Sequence, residues 1–131
     1  MNGNKAVLDS NFIILISKGH IDFEKLRAKY DAFFILIITY MEVYAFDFVD
    51  TTEKNLIDEI FAGLDVIGIN QEIADQAVIY RKNQFKKLKL PDAIILATAK
   101  YIDADLLTED WQGFLNVDNS IAILNLKSVN L

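Results

Sequence analysis

The chain has 131 residues and contains no cysteine. Disulfide bonds and thiolate metal sites are therefore excluded, and a reducing cytoplasm is the expected location. Long hydrophobic runs are also absent. The longest, residues 32–38, is far too short to span a bilayer, so we expect no membrane association. No segment has the order of basic, apolar and small residues that marks a signal peptide.

Basic residues are few. The chain has 13 lysines and arginines against 19 acids, for a net charge of −6, whereas a nucleic-acid binder is expected to carry a basic surface. Five of the 13 bases are concentrated in RKNQFKKLK, residues 81–89, which contains no acid. The remaining surface is strongly acidic, so its carboxylates either repel polyanions or hold cations.

Hydrophobic residues make up 53% of the chain, which excludes a disordered protein and is compatible with an apolar oligomer interface. The length predicts one domain, residues 1–131. Short apolar runs without clean alternation predict strands buried on both faces. They are residues 6–8, 33–38, 65–69, 105–108 and 121–126.

Helical patterns separate these runs. They cover residues 23–30, residues 52–62 with a threonine start, and a segment capped by Asn70. Pro91 fits the first turn of a further, very apolar helix. Strands that alternate with helices predict an α/β fold, a three-layer α/β/α sandwich around a central, mostly parallel sheet.

Four acids fall where such a fold forms its binding sites, outside the carboxyl ends of parallel strands. Asp9 follows the first strand, Glu42 lies just beyond the second, Asp110 follows the fourth, and Asp92 begins the apolar helix. If these carboxylates converge, each raises the pKa of its neighbours and the group requires cations. Oxygen ligands favour hard ions such as Mg²⁺ or Mn²⁺.

Each acid also has an ordinary structural interpretation. An acid in a first helical turn complements the helix dipole. Thr39 and Glu42 have the spacing of a capping box, and Asp110 can serve as a helix N-cap or a turn residue. The pattern alone leaves these alternatives open, because convergence of the acids presupposes the fold.

Three segments together resemble the PIN domain family, especially the VapC-like toxins of bacterial toxin–antitoxin pairs. VLDSNFII resembles the opening strand, aspartate and polar turn of that family, and ITYMEVYAF resembles the segment that carries its glutamate. KLPDAIILATAKYIDADLLTEDWQGF resembles the third and most specific block, in which an aspartate opens an alanine-rich helix and a strand leads to Thr-x-Asp. The resemblance covers nearly the whole chain.

This resemblance implies a metal-dependent endoribonuclease. Asp9, Glu42 and Asp92 match the three core metal-binding acids, and Asp110 matches the more variable fourth position, with Glu109 as the alternative. Two further residues match positions that support the site, Asn11 and Thr108. The sequence departs from the family at two positions, with Ala45 in place of a glycine and Gly113 in place of a second acid.

The resemblance further implies Mg²⁺ or Mn²⁺ as cofactor, RNA as substrate, a cognate antitoxin as partner, and a homodimer. The basic segment then provides candidate phosphate contacts, and its alternative is a solvated helix end and loop. The candidates are Arg81, Lys82, Lys86, Lys87 and Lys89.

Other interpretations remain open. A haloacid-dehalogenase-type phosphatase would use Asp9 as nucleophile but needs a second aspartate where Asn11 stands, and a receiver domain lacks its paired acids and late lysine. A PIN fold without catalysis could serve as a binding module. His20 is expected in a turn rather than in catalysis, and we expect Phe46 and nearby Phe48 at a dimer surface or antitoxin groove.

Overall fold

The computed structural model describes residues 4–83 and 85–129. The strands of this part of the chain are β1 (Lys5–Leu8), β2 (Ala32–Leu36), β3 (Asp65–Ile67), β4 (Asp105–Leu107) and β5 (Ile123–Leu124). They form one sheet in the order β3-β2-β1-β4-β5, and every neighbouring pair is parallel. The predicted parallel sheet is thereby confirmed.

Seven α-helices surround the sheet in the described residues. They are α1 (Ser10–Ser17), α2 (Phe23–Arg27), α3 (Ile37–Tyr44), α4 (Thr51–Ala62), α5 (Gln71–Arg81), α6 (Leu90–Ile102) and α7 (Leu126–Val129). A 3-10 helix, Trp111–Phe114, follows β4. No helix in this part of the chain is long and apolar enough to cross a membrane.

The three central strands, β1, β2 and β4, are largely buried, which explains the absence of polar alternation in them, whereas β3 at one edge is mostly exposed. In β1, Ala6 and Leu8 belong to a core cluster that includes residues of α1, α3 and α4. Val7 points to the opposite cluster, which includes residues of α5 and α6. Leu107 and Leu106 of β4 divide between the clusters in the same way. Two cores on either side of one sheet confirm the three-layer α/β/α sandwich.

The predicted strand over residues 33–38 is too long. β2 ends at Leu36, which has extended φ and ψ angles of −69° and 142°, and α3 begins at Ile37. Ile38 still packs against the α5–α6 core and Thr39 is 2% exposed, so the apolar pattern continues across the strand–helix boundary. Since Leu36 is the N-cap and Thr39 lies inside the helix, the capping-box interpretation of Thr39 and Glu42 is wrong.

Other predicted boundaries shift by a few residues. β3 ends at Ile67, β4 ends at Leu107, and residues 121–126 contain only the short β5 before α7 begins at Leu126. The N-cap of α4 is Asp50 rather than a threonine, because its carboxylate accepts from the N–H of Glu53 at 2.8 Å. Asn70 caps α5 as predicted.

Helix α6 has the most buried residues of the described helices, and it packs against the sheet. Ala93, Ala97 and Ala99 are fully buried, and the small alanine side chains permit close approach of the helix to β1 and β4. Pro91 lies in the first turn, as predicted, where a missing N–H is tolerated. Only the start of the helix reaches the carboxyl edge of the sheet, and this is where Asp92 lies.

Enlarging a side chain on the buried face of α6 should destabilise the protein. Ala99→Leu adds three carbon atoms at a fully buried position in the core between the sheet and α5, and the expected loss in the free energy of unfolding is about 1–3 kcal/mol. Urea denaturation measures this loss. The control is Ala62→Leu at the exposed end of α4, which should change stability by less than about 0.5 kcal/mol. Equal effects at the two positions would contradict close packing of α6.

Candidate metal centre

The first part of the site comes from the pairing of β1 with β4. Leu8 and Leu107 are register partners, so the residues that follow them, Asp9 and Thr108, leave the sheet next to each other. The backbone N–H of Asp9 donates to the carbonyl of Leu107 at 3.0 Å. Asp9 is also the N-cap of α1, and one of its carboxylate oxygens accepts from the N–H of Ser10 at 2.9 Å. Strand pairing and helix entry together fix this carboxylate.

The hydroxyl of Thr108, which is fully buried, connects two of the predicted acids. It donates to the second carboxylate oxygen of Asp9 at 2.8 Å and accepts from the backbone N–H of Asp110 at 3.1 Å. The amide nitrogen of Asn11 donates to this hydroxyl at 3.4 Å and to the Asp110 carboxylate at 3.1 Å. The amide oxygen of Asn11 accepts from the N–H of Glu109 at 3.1 Å. These contacts tie the loop after β4 to the start of α1.

Helices α3 and α6 bring two further acids to the same place. Glu42 lies in the second turn of α3, and Asp92 lies in the first turn of α6. Together with Asp9 and Asp110, they line one cavity of about 130 Å³, which we call the acidic cavity. None of the described residues that line it is basic. The other lining residues are Ser10, Asn11, Leu36, Ile38, Thr39, Pro91 and Ile95.

The four carboxylates surround the acidic cavity without forming a closed ligand set. Within residues 4–83 and 85–129, no group of three or more histidine or acidic side chains is placed so that it could hold a metal ion. Ligation of one ion by several of the acids therefore requires side-chain rotations that bring their oxygens together. Glu42 and Asp110 are exposed residues, so solvent leaves room for such rotations.

The environment of the cavity raises the pKa of Asp9. Burial is the largest cause, because it disfavours the charged form, and the negative charges of Asp92 and Asp110 raise the pKa further. The hydrogen bonds from Thr108 and from the N–H of Ser10 act in the opposite direction, since they stabilise the ionised carboxylate. The two hydrogen bonds that hold the Asp9 carboxylate in place therefore also offset part of the rise in its pKa.

Two more acids of the cavity respond in the same way. Burial raises the pKa of Glu42, and repulsion from Asp9 and Asp92 adds to it. Burial and the charge of Asp110 raise the pKa of Asp92, which the positive charge of Lys89 partly offsets. A divalent cation would remove this mutual repulsion, and carboxylate oxygens are the ligands that Mg²⁺ and Mn²⁺ prefer. The donor set therefore fits a hard divalent ion.

Comparison with known proteins identifies the family. The PIN domain family model matches residues 6–120, a range that includes all four acids of the cavity. This chain belongs to the PIN domain family. The predicted family resemblance is confirmed. Comparison with curated protein sequences gave no significant match.

Solved structures similar to this PIN domain include a toxin–antitoxin complex, VapBC and FitAcB. A toxin–antitoxin complex from Klebsiella pneumoniae is 32% identical, covers 89% of this chain and 95% of its own, and superposes with a TM-score of 0.64. DNA-bound VapBC from Salmonella typhimurium is 18% identical, and the match covers 93% of this chain and 98% of that chain with a TM-score of 0.76. FitAcB from Neisseria gonorrhoeae is 22% identical, and the match covers 96% of this chain and 99% of that chain with a TM-score of 0.70. The last two show a shared fold.

In this PIN domain the geometry separates the two candidates for the fourth acid. Asp110 lines the acidic cavity, whereas the carboxylate of Glu109 accepts from the N–H of Leu126 at 2.7 Å. The two departures from the family pattern are accommodated. Ala45 ends α3 with an ordinary φ of −79°, and a side chain at Gly113 would meet nothing within 4 Å. Asp110 is therefore the better-placed candidate for the fourth acid of the cavity.

The basic segment, residues 81–89, does not line the acidic cavity in its described part. Arg81 ends α5, and with Lys82 it lies beside a separate apolar pocket next to the start of α6. Gln84 lies outside the described residues. The first half of the segment is therefore near the helix that carries the site, but not inside the site.

The second half of the basic segment approaches the site more closely. The ammonium group of Lys86 donates to the backbone carbonyl of Gln112 in the 3-10 helix at 2.6 Å. Lys89 immediately precedes α6 and is the cation that lowers the pKa of Asp92. Lys86 thus has a structural contact that the sequence did not predict, while Lys89 is next to one of the four acids.

Two polar residues that line the acidic cavity were not singled out as site residues from the sequence. Ser10 supplies the N–H that binds Asp9, and any residue at that position except proline offers the same donor. Thr39 is a buried polar residue on the face of α3 that carries Glu42, so its spacing was the available signal. His20 lies in the turn after α1, as predicted, and does not line the cavity.

Removing the hydroxyl of Thr108 should perturb Asp9. Thr108→Val keeps the shape of the side chain but removes a donor to Asp9 and the acceptor of the Asp110 N–H. We expect a further rise in the pKa of Asp9, measured by NMR titration of carboxyl carbons, and a loss of about 1–3 kcal/mol in the free energy of unfolding. Thr108→Ser retains the hydroxyl and should retain the wild-type titration of Asp9, while loss of its buried methyl group costs about 1 kcal/mol. An unchanged Asp9 titration in the valine variant would show that the hydroxyl does not control this carboxylate.

The raised pKa of Asp92 gives a testable pH dependence. A raised pKa means that the folded state binds the proton more tightly than the unfolded chain, so the ionised carboxylate opposes folding at pH 7. This destabilisation is lost as the pH falls through the folded-state pKa towards the ordinary value of 3.8. With chelator present, Asp92→Asn should raise the Tm by about 1–3 °C at pH 7, and the gain should vanish in acid.

The matched control for this measurement is Glu72→Gln. It also removes a charge from the first turn of a helix, α5, but outside the acidic cavity. There the acid complements the helix dipole, so its loss should not raise the Tm. If both variants gain the same stability at pH 7, repulsion within the cavity is not the cause.

Proposed function

We propose that this PIN domain is a divalent-metal-dependent endoribonuclease that hydrolyses RNA phosphodiester bonds, and that it is the toxin of a toxin–antitoxin pair. The observation that carries the proposal is the single cavity lined by Asp9, Glu42, Asp92 and Asp110, with the pKa values of the first three raised partly by their neighbours' charges. Membership of the family and 32% identity to a chain of the Klebsiella pneumoniae toxin–antitoxin complex support it.

Asp9, Glu42 and Asp92 would hold Mg²⁺ or Mn²⁺, and Asp110 would either join them or orient water. When bound, such an ion supplies a coordinated water of lowered pKa and neutralises charge on the phosphate. The acids themselves do not attack phosphorus in this proposal. Their task is to present charged oxygens at fixed positions, with the exposed carboxylates free to adjust.

The supporting residues keep this arrangement ready. Thr108 and the N–H of Ser10 fix the two oxygens of Asp9, and Asn11 orients the carboxylate of Asp110. Because its contacts are made within the protein, the carboxylate of Asp9 needs little reorganisation, and the side-chain rotations that ligation requires fall mainly on the exposed Glu42 and Asp110. Asn11 and Thr108 act here as positioning residues.

The substrate proposal rests on the distribution of positive charge. The chain is acidic, and residues 81–89 are its one concentrated group of bases. Lys89 lies next to Asp92, so an RNA strand at the acidic cavity can continue onto this segment. Phosphate contacts of this kind position a strand without reading its sequence. Arg81, Lys82, Lys86 and Lys87 are the further candidate contacts.

The partner proposal is a cognate antitoxin together with a homodimer. The similar solved structures include toxin–antitoxin complexes. Apolar side chains that are about half exposed lie around the pocket between α5 and the start of α6 and offer surface for a second copy. They are Ile69, Val78 and Leu90.

Two other functions are less well supported. A haloacid-dehalogenase-type phosphatase would need a second aspartate at position 11, where the amide of Asn11 is engaged with the loop after β4. A PIN fold that only binds a partner would need no cation at its acids. Calorimetric titration with Mn²⁺ separates this binding module from the nuclease, since only the nuclease requires the ion.

Loss of one ligand charge should abolish most activity without unfolding the protein. Purified wild-type protein should cleave single-stranded or loop RNA with Mg²⁺ or Mn²⁺, and chelator should stop cleavage. Asp92→Asn should lower the rate by about 100-fold or more, since a catalytic metal contributes several kcal/mol to transition-state stabilisation. Glu72→Gln should cleave at the wild-type rate. Cleavage that survives chelation or the Asp92 substitution would rule out a metal-dependent nuclease.

A further inference from the structure

A second pocket adjoins the acidic cavity. Its volume is about 560 Å³, and it shares Ser10, Asn11, Glu42 and Asp110 with the cavity. A phosphate held at the acids would therefore lie at the mouth of this pocket. Whatever group is attached to that phosphate has a direct path into it.

The walls of this pocket are mainly apolar and include one exposed aromatic ring. The apolar lining residues are Ile14 and Leu15 of α1, Val43 of α3, and Phe46 just after α3. Phe46 is 49% exposed, and its ring is contacted by the ring of Phe48 at 5.7 Å with an interplanar angle of 64°. Phe48 in turn packs against the core. The Phe46 ring is thus both accessible and supported from within the protein.

The charges around the pocket are distributed unevenly. Glu42 and Asp110 lie where the pocket meets the acidic cavity, and Glu109 lines the pocket but not the cavity. Lys18 and His20, which follow α1, also line the pocket but not the cavity. Lys18 is the C-cap of α1 and lies seven positions after Asn11, about 10 Å along the helix axis. Gly19, with φ of 78°, ends this helix, and the N–H of His20 donates to the carbonyl of Leu15 at 3.0 Å. Lys18 and His20 are therefore held by a defined helix terminus.

We infer that this pocket binds a nucleobase next to the scissile phosphate of the RNA substrate, with Phe46 as its stacking surface and Lys18 near the following phosphate; the inference rests on the proposed ribonuclease function. With a divalent ion bound at the acids, an occupant that carries a phosphate at each end and a flat apolar group between them matches this lining. A nucleotide that joins two phosphates through a sugar and carries an aromatic base has this character. Single-stranded RNA bases are bound in this way, by stacking on aromatic side chains.

The test uses short fluorescent single-stranded RNA oligonucleotides that differ in one base, with Ca²⁺ in place of Mg²⁺ so that binding is measured on RNA shown by gel to be uncut. Phe46→Ala should weaken binding about tenfold and reduce the difference between bases. Phe46→Trp keeps an aromatic surface and should retain wild-type affinity. The matched control is Tyr101→Ala, which removes a ring of similar exposure, 46%, near the C-terminal end of α6, away from Asp92 in its first turn. It should leave RNA affinity and base preference unchanged.

The outcomes separate this inference from the proposed function. RNA binding that depends on Phe46 without metal-dependent cleavage by the wild type would support the pocket and contradict the nuclease. Normal cleavage and binding by folded Phe46→Ala, with unchanged base preference, would overturn the pocket and leave the nuclease standing. If the substitution affects only association with a protein partner, the pocket belongs to that partner and the inference is wrong. Absence of RNA binding by the wild type would also overturn it.

Discussion

Parallel pairing between β1 and β4 places Leu8 opposite Leu107, and this register determines where Asp9 and Thr108 leave the sheet. The register is held by the two cores, since successive side chains of β1 enter opposite ones. A slip of one residue would exchange the faces of the strand and place each side chain in the wrong core. The apolar packing of the strand residues that precede Asp9 and Thr108 thus determines that the Thr108 hydroxyl lies beside the Asp9 carboxylate.

Helix α6 shows what the site requires of the fold. Its alanine-rich centre is buried without polar cost, but its first turn carries Asp92 into a region where burial and Asp110 both oppose ionisation. Pro91 restricts the backbone in this first turn, and the positive charge of Lys89 partly offsets the rise in the pKa of Asp92. A local conflict of this kind, within an otherwise consistent structure, is typical of a functional position.

The sequence predicted the architecture well and the boundaries less well. Apolar runs identify strands buried on both faces, but hydrophobicity continues from β2 into α3 and so conceals the boundary at Leu36. The site acids could be proposed because strand ends share one edge of a parallel sheet. The contacts among Asn11, Thr108 and Asp110 were not accessible, because they join residues about 100 positions apart through side-chain geometry. The bond from the Lys86 side chain to the backbone of Gln112, 26 positions away, was not accessible for the same geometric reason.

The two outer strands of the sheet are very short, with three residues in β3 and two in β5. Each presents few unpaired N–H and C=O groups, so neither edge is a good template for adding a strand from another chain. Sheet extension is therefore a poor route to assembly for this protein. A partner that binds the described part of the chain tightly would engage side chains on the helices, where recognition depends on shape and charge instead of backbone hydrogen bonds.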